Sequence, residues 1–206
     1  MPAVPDARTR SARLPRSARR QQLLGAAQEV FVAQGYHAAA MDEIADRAGV
    51  SKPVLYQHFP GKHELYLALV DQHAKEIVDA VRGALASTKD NKLRVQAAIE
   101  AFFDYVDEET GAFRLVFESD LTNEPAVRGH VERVTTECAE MIAEVIHDDT
   151  GLPGEASRLL AVSLVGMAQV SARFWLSEAG GISQADASGL VAGLAWRGIR
   201  GYPLEH

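Results

Sequence analysis

The stretch MDEIADRAGVSKPVLYQHF, residues 41–59, constrains the fold of this chain more than any other segment. Apolar residues recur with helical spacing before Gly49, and a second short apolar run follows it. Gly49 stands where a helix ends in the left-handed conformation, which glycine adopts at little cost. The pattern predicts two short helices, at about Met41–Ala48 and Lys52–Phe59, joined by a tight turn.

The second of these helices carries two start signals. Ser51 is a candidate N-cap, because its hydroxyl can accept a hydrogen bond from a backbone amide of the first turn. Pro53 falls in that turn, where its missing N–H has no cost. Helices this short are unstable alone in water, so they must pack against a third helix and form a helix-turn-helix. The alternative is an ordinary helical hairpin, but the cap, the glycine and the spacing together favour DNA binding.

The charges of the chain are unevenly distributed. A net charge of −7 argues weakly against a nucleic-acid partner when the chain is taken as a whole. Residues 1–60, however, carry eight Lys and Arg against five Asp and Glu, whereas the remainder carries 13 against 23. Six of the eight cations are arginines within residues 8–20, a stretch without an acidic residue. A basic end on an acidic body is typical of a protein that presents one end to DNA.

The rest of the chain also predicts helices. No stretch alternates convincingly with the period of a β-strand. Further helices are expected at about residues 17–34, 62–86, 92–106, 112–118, 125–150, 155–179 and 184–201. Asn123 is the expected N-cap of the seventh helix in chain order. The predicted fold class is therefore all-α, with about nine helices.

The last two predicted helices are the most apolar. Residues 159–172 of the eighth helix carry no charge, and these 14 residues fall short of the roughly 20 that a membrane span needs. We therefore expect no membrane partner and a helix that is buried on most sides. The ninth helix begins at a candidate capping box, Ser183 with Asp186. Its three interior glycines each cost about 1 kcal/mol relative to alanine, so we expect another helix to approach closely there.

The segment from Arg19 to Leu67, about a quarter of the chain, closely resembles the TetR-type transcriptional regulators. The residues that carry the resemblance are Ala27, Phe31, Gly35, Tyr36, Ile44, Ala45, Ala48, Gly49, Val50, Ser51, Lys52, Pro53, Leu55, Tyr56, His58, Phe59, Lys62 and Leu65. The resemblance implies a helix-turn-helix DNA-binding domain at residues 16–60 and a helical ligand-binding and dimerisation domain at residues 61–206. Residues 1–15, rich in proline and arginine, are expected to form a disordered basic arm.

The chain departs from the family pattern before the second helix. Ala39 and Ala40 stand where the family tends to place Ser or Thr, whose hydroxyl caps the helix and touches a phosphate. The second helix should therefore begin less firmly, by about 1 kcal/mol, and one phosphate contact should be missing.

The residues of the recognition helix divide into base and phosphate contacts. Lys52, Val54 and Gln57 are expected on its exposed face, where lysine can reach guanine and glutamine can pair with adenine. Pro53 and Val54 can touch thymine methyl groups. The resemblance implies phosphate contacts for a further set of side chains, with core packing as the alternative for the tyrosine and the histidine. These residues are Tyr56, His58 and Lys62, with Ser51, Arg16 and Arg19 as additional candidates.

The resemblance further implies a small-molecule pocket in the C-terminal domain and a homodimer through the eighth and ninth helices. A mainly apolar effector is expected to release the protein from a near-palindromic operator, which makes it a repressor, with half-sites about 34–36 Å apart. The candidate pocket residues are Phe102, Phe103, Tyr105, Phe113, Phe117, Met141, Met167, Phe174 and Trp175. The candidate dimer residues are Leu164, Trp175, Leu190, Leu194 and Trp196.

Other classes of function have weaker support. No catalytic triad order, phosphate-binding glycine loop or metal-ligand spacing occurs, so we expect neither an enzyme nor a cofactor. His147, Asp148 and Asp149 could ligate a metal but stand at a helix end. Cys138, the single cysteine, fits a reducing cytoplasm and is expected to be a buried apolar residue rather than a redox sensor. A non-specific architectural DNA-binding protein is the remaining alternative.

Deletion of residues 1–15 tests the role of the basic arm. If its arginines contact phosphates, the deletion should lower the affinity for DNA and flatten its dependence on salt, because fewer counterions are released on binding. The preferred DNA sequence should not change. A fluorescence titration at several salt concentrations measures both quantities, and an unchanged slope would contradict the prediction.

Overall fold

A computed structural model describes residues 14–107, 111, 113, 121, 124–177 and 181–199. These residues contain no β-strand, which confirms the all-α prediction. They form α1 (Arg16–Ala38), α2 (Met41–Arg47), α3 (Lys52–His58), α4 (Lys62–Ala86), α5 (Asn91–Asp107), α6 (Pro125–Thr150), α7 (Gly154–Ser177) and α8 (Gln184–Ile199). The first 13 residues of the predicted basic arm lie outside the described residues, as do most of the helix predicted at residues 112–118, Phe117 and Asn123.

Helices α1, α2 and α3 pack around a small apolar core. Leu23, Phe31, Ile44, Leu55 and Phe59 are all buried in it. The predicted turn is present, since Gly49 has a φ of 65° between α2 and α3. A second glycine with positive φ, at position 35, kinks α1 near the residue where the sequence predicts that the first helix ends.

The N-caps of α2 and α3 lack side-chain hydrogen bonds. Ala40 occupies the N-cap position of α2, and a methyl group has no acceptor to offer. Ser51 occupies the N-cap position of α3, but its hydroxyl makes no capping bond, so that part of the prediction was wrong. Instead, the Ser51 carbonyl accepts from the backbone amides of Val54 and Leu55 at 2.9 and 3.3 Å.

Helix α4 joins the helix-turn-helix to the rest of the molecule through an aromatic cluster. The ring of Tyr66 on α4 lies edge-on to Phe31 and Tyr36 of α1, at centroid distances of 5.2 and 5.1 Å. Gly111 also contacts α1, because a Cβ added there would lie 2.8 Å from a methyl group of Val32. The buried side chains of α1–α8 therefore form one continuous core.

The C-terminal helices form a bundle in which α6 packs against α4 and α7, and α5 packs against α4 and α8. Helix α8 begins as predicted, with the Asp186 amide donating to the Ser183 hydroxyl at 3.1 Å. Helix α6 begins after Glu124, which makes no side-chain cap. Within the part of the chain that the structure describes, no atom lies within 4 Å of a Cβ added at Gly189, Gly193 or Gly198. The close approach expected at these glycines is therefore absent within one chain.

Helix α7 is much less buried than the sequence predicted. Only 22% of its most apolar 18-residue window is buried, and Leu159, Val162, Val170 and Phe174 are exposed. The prediction was wrong because an uncharged helical stretch can also lie on the surface of the folded chain. Among the described helices, α7 is also the one that is long and apolar enough to span a membrane, with a mean hydropathy of 1.5. A helix that packs against another protein passes the same test of length and composition.

Candidate DNA-binding surface and ligand cavity

Helix α3 turns its polar side chains outward. Leu55 and Phe59 are buried at 0% and 2% exposure and hold the helix against α1 and α2. Lys52, Pro53 and Gln57 are exposed on the other side, and Val54 is half-buried. Tyr56 is 47% exposed, which removes the alternative that it packs in the core. The side chains predicted to read bases are therefore accessible to a partner.

Three arginines of α1 lie close to the last turn of α3. The guanidinium of Arg20 lies over the Phe59 ring, 4.4 Å from its centroid. Burial lowers the pKa of His58, and the positive charges of Arg16, Arg20 and Arg19 lower it further. The imidazole is therefore neutral at neutral pH and offers one N–H as a donor. The arginines themselves place positive charge beside the last turn of α3, which is the charge that DNA phosphates attract.

Arg19 is oriented by a short chain of hydrogen bonds. Its guanidinium donates to Gln22 at 2.7 Å, and the Gln22 amide donates to the Ala48 carbonyl at the end of α2, also at 2.7 Å. The side chain of Gln22 thus ties α1 to the turn of the helix-turn-helix. Gln22 was not singled out from the sequence, because its partner is 26 residues away.

Lys52 is accessible but already has an acidic partner. Its ammonium donates to Asp42 of α2 at 2.5 Å, while both side chains remain more than half exposed. The hydrogen bond that Lys52 donates to Asp42 raises the pKa of Lys52, as does the nearby negative charge of Asp46. Because the pair is exposed, it is a weak interaction that a phosphate or a base can replace.

Lys62 has a structural role that the sequence did not reveal. Its ammonium donates to the carbonyls of Tyr36, His37 and Ala39 at 2.8, 3.1 and 2.9 Å. An ammonium has three N–H donors, so none is left for a phosphate. The phosphate contact predicted for Lys62 is therefore incompatible with this geometry. The lysine instead satisfies carbonyls that follow the kink in α1.

The C-terminal bundle contains an apolar cavity of about 300 Å³. Ile77, Val81 and Leu85 of α4 form one wall, and α5, α6, α7 and Trp196 of α8 complete it. Most of the lining side chains are aliphatic. Ligand pockets in proteins are lined mainly by apolar residues and have volumes of about 300 Å³ or more.

Of the predicted pocket residues that the structure describes, only Phe102 lines this cavity. Phe113 is buried behind Phe102, with ring centroids 6.2 Å apart. The ring centroids of Phe103 and Trp175 lie 5.9 Å apart, and the Tyr105 ring packs against His73 of α4. These aromatic side chains are core residues because they fill the gaps between helices by contacting one another.

Three further candidates also lie outside the lining of this cavity. Met141 and Met167 are half-buried and pack against the core outside the cavity lining. Phe174 is 66% exposed on α7. One sequence signal does indicate the lining of this cavity, namely the regularly spaced apolar residues of α6. Three of them, Val134, Cys138 and Val145, line the cavity.

The single cysteine of the chain, Cys138, lies in the cavity wall. Burial raises the pKa of the Cys138 thiol to about 11. The thiol is therefore protonated and poorly reactive at neutral pH, which supports its interpretation as a small apolar residue.

The predicted dimer residues face in two directions. Leu190 and Leu194 of α8 are 67% and 63% exposed. Leu164 and Trp196, in contrast, are half-buried and line the cavity. The indole of Trp175 donates to the Ile182 carbonyl at 3.0 Å and so closes the loop between α7 and α8.

Two of the three residues considered for metal binding have other partners. Nδ1 of His147 lies 2.7 Å from the Leu152 carbonyl, and Asp149 pairs with Arg94 at 3.2 Å. Within the described ranges, no group of three or more His, Cys, Asp or Glu side chains is arranged to hold a metal ion.

An accessible, positively charged helix-turn-helix joined to a helical bundle with an internal apolar cavity defines a DNA-binding transcriptional regulator. Comparison with known proteins agrees. Residues 23–69 match the model of the bacterial regulatory proteins of the tetR family. The HTH-type transcriptional activator FasR of Mycolicibacterium smegmatis is 49% identical over 195 residues, which are 95% of this chain and 89% of that protein.

Solved structures share the fold. A TetR-like transcriptional regulator from Rhodococcus sp. RHA1 is 30% identical and aligns with a TM-score of 0.73 over 92% of this chain and 100% of that one. The regulator FadR from Bacillus subtilis, in complex with stearoyl-CoA, aligns at 18% identity with a TM-score of 0.70 over 85% of this chain and 96% of that one. The chain belongs to the TetR family of bacterial transcriptional regulators, and it is not an enzyme.

Substitution of Asp42 by asparagine tests whether the acidic partner of Lys52 competes with DNA. The change removes the negative charge from which Lys52 must separate before it can contact DNA. The affinity for DNA should therefore increase by up to about fivefold. Asp46→Asn is the matched control, because it removes the same charge from α2 without breaking a hydrogen bond to Lys52. Fluorescence anisotropy at low salt measures the difference. Weaker binding of the Asp42→Asn protein would mean that Asp42 positions the lysine rather than competes for it.

Proposed function

We propose that this protein is a cytoplasmic, homodimeric regulator that binds a near-palindromic operator and leaves it when a ligand with a long apolar chain fills the cavity. The observation that carries the proposal is that α4 belongs to both sites. Its first turn and Tyr66 pack against the helix-turn-helix, and its later residues Ile77, Val81 and Leu85 line the cavity. From Tyr66 to Ile77 the helix spans only about 16 Å.

A ligand can act on DNA binding only by favouring one arrangement of the molecule over another. Helix α4 supplies such a coupling, because a shift that accommodates a ligand at Val81 would move Lys62 and the α1 carbonyls bound to it. A second contact joins the start of α6 to α4, because Oε1 of Glu124 lies 2.6 Å from Nε2 of His63. Both connections reach the helix-turn-helix near the kink in α1.

The chemistry of the cavity favours an acyl-type chain. Its lining is largely aliphatic, and such a surface recognises methylene groups through burial rather than through hydrogen bonds. The structural neighbour FadR from Bacillus subtilis in complex with stearoyl-CoA has the same fold, which supports a fatty acyl ligand here.

The direction of regulation follows from where the operator lies. A dimer that leaves DNA on binding its ligand is a repressor if the operator overlaps a promoter, as the sequence suggested. The same dimer is an activator if it assists the polymerase from an adjacent site. The name of the mycobacterial relative, which is a transcriptional activator, favours the second arrangement. A reporter gene driven by the native operator distinguishes these two outcomes by its expression with and without the regulator.

The exposed apolar residues of α7 and α8 support a homodimer. Val170 and Phe174 on α7 and Leu190 and Leu194 on α8 form more exposed apolar surface than a soluble monomer normally carries. The glycines of α8 leave room for a second copy, because nothing within the chain fills the space beside them. A two-fold dimer would also supply the second recognition helix that a specific site requires.

Substitution of Leu190 by aspartate should disrupt the dimer, because a charge would be buried in the apolar interface. Light scattering on the purified protein should then show the mass of a single chain, and operator affinity should fall by at least tenfold. Leu93→Asp is the control, since Leu93 is an exposed leucine of α5 that lies outside the proposed interface. A dimeric Leu190→Asp protein would contradict the proposed interface.

Selection of bound DNA from a random pool tests sequence specificity. A near-palindromic sequence should emerge, bound roughly a thousandfold or more above bulk DNA. Equal binding to all sequences would instead identify a non-specific architectural protein. Addition of stearoyl-CoA should then release the selected DNA in a gel shift, and tighter binding with this ligand would overturn the proposed direction.

A cavity-blocking variant separates binding in the cavity from other effects of the ligand. Ala98→Phe places a ring in the lining, whereas Ala97→Phe changes the preceding half-buried residue, which does not line the cavity. Release of DNA by stearoyl-CoA should be lost in the first variant and retained in the second.

A further inference from the structure

One end of the apolar cavity carries a cluster of polar side chains. The first turn of α5 and the last turn of α6 bring Asn91, Arg94, Asp149 and Thr150 together in its lining. The Thr150 hydroxyl is already used, because it donates to the Ile146 carbonyl at 2.6 Å. The groups that could meet a ligand at this end are therefore the side chains of Asn91, Arg94 and Asp149.

Arg94 is held in a fixed orientation at this end of the cavity. Its Nε donates to the Thr88 carbonyl at 2.8 Å, and its Nη1 donates to Asn91 at 3.0 Å and to Asp149 at 3.2 Å. Its Nη2 makes no hydrogen bond to any residue in the described part of the chain. The side chain is only 20% exposed. A guanidinium in this position has unused donors in a partly dehydrated place.

A cation in the wall of an apolar cavity is unfavourable unless an anion compensates for it. Asp149 compensates in part, through one contact at a distance longer than a good charged hydrogen bond. An anionic group of a ligand could bind the free Nη2 and complete the two-pronged geometry that guanidinium groups prefer. The position is suitable for the head of a ligand whose chain lies between the aliphatic side chains.

We propose that Arg94 binds the anionic head of the ligand, a carboxylate or a phosphate, and that Asp149 holds the arginine in place while the cavity is empty. This proposal rests on the proposed function, since it assumes that an apolar chain occupies the same cavity. In this proposal Asp149 competes with the ligand for Arg94. If the two residues only held α5 and α6 together, Asp149 would not compete with a ligand.

Binding of stearate and of its methyl ester tests the proposal, because the two probes share a chain and differ in head charge. Trp196 lines the cavity and reports binding by its fluorescence when Trp175 is replaced by phenylalanine in every protein compared. The parent protein should bind stearate more tightly than methyl stearate by roughly tenfold to a hundredfold. Arg94→Gln should abolish this preference and leave the affinity for the ester unchanged.

Asp149→Asn is expected to change stearate binding in the direction opposite to Arg94→Gln. Because loss of folding cannot tighten binding, this variant separates the proposal from a folding defect. Removal of the competing carboxylate should tighten stearate binding several-fold and leave methyl stearate unaffected. If Arg94 and Asp149 are only a structural pair, both substitutions should weaken the two probes equally, and the proposal would be overturned. Arg94→Lys, which keeps the charge, should retain part of the preference.

Stearoyl-CoA distinguishes the two sources of negative charge. A loss on Arg94→Gln that is confined to stearate identifies a carboxylate head, and a loss confined to stearoyl-CoA identifies a CoA phosphate. Either result supports the anchor, whereas no loss with either probe excludes it. If none of the three probes binds the parent protein, the proposed function fails as well. If all bind but charge makes no difference, only the role of Arg94 fails.

Discussion

The junction between α1 and α4 is the constraint on which the rest of the molecule depends. Lys62 donates to three carbonyls beyond the kink of α1 and lies 4.6 Å from the centre of the Tyr36 ring. The Tyr66 ring fills the space between the two helices. Because the ammonium and the rings act together, the start of α4 cannot shift without disturbing the end of α1. The DNA-binding unit and the bundle are thereby joined through short, directional contacts.

The cavity in the bundle has an energetic consequence for the protein without ligand. An apolar void costs stability, because the side chains around it lose the packing contacts that a filled core would supply. A ligand that fills the void restores these contacts, and the stabilisation is largest in the arrangement that fits it best. Since α4 forms part of the wall, the proposed ligand would pass that preference to the helix-turn-helix. The free energy lost by leaving the cavity empty is thus what would drive the proposed response of DNA binding to the ligand.

The surface of the molecule combines three kinds of chemistry in separate places. Arginines of α1 and the polar face of α3 lie at one end, and the remaining chain is acidic. Most of the large exposed apolar residues in the described part of the chain occur on α7 and α8. Such a separation suits the proposal that one face meets DNA and another meets a second copy, because each face is dominated by groups that complement its partner.

The sequence by itself determined the helices, the glycine turn and the burial of Leu55 and Phe59 behind an exposed Lys52 and Gln57. These features follow from the spacing of apolar residues and from backbone preferences, which act over a few residues. Tertiary structure decided that Lys62 binds carbonyls, that Lys52 pairs with Asp42, and that mainly aliphatic side chains line the cavity. It also decided that α7 exposes its apolar face. Each of these features depends on contacts between residues far apart in the chain or on the surface that packing leaves uncovered. The local spacing of apolar residues does not reveal which side chains will meet or which face will stay exposed.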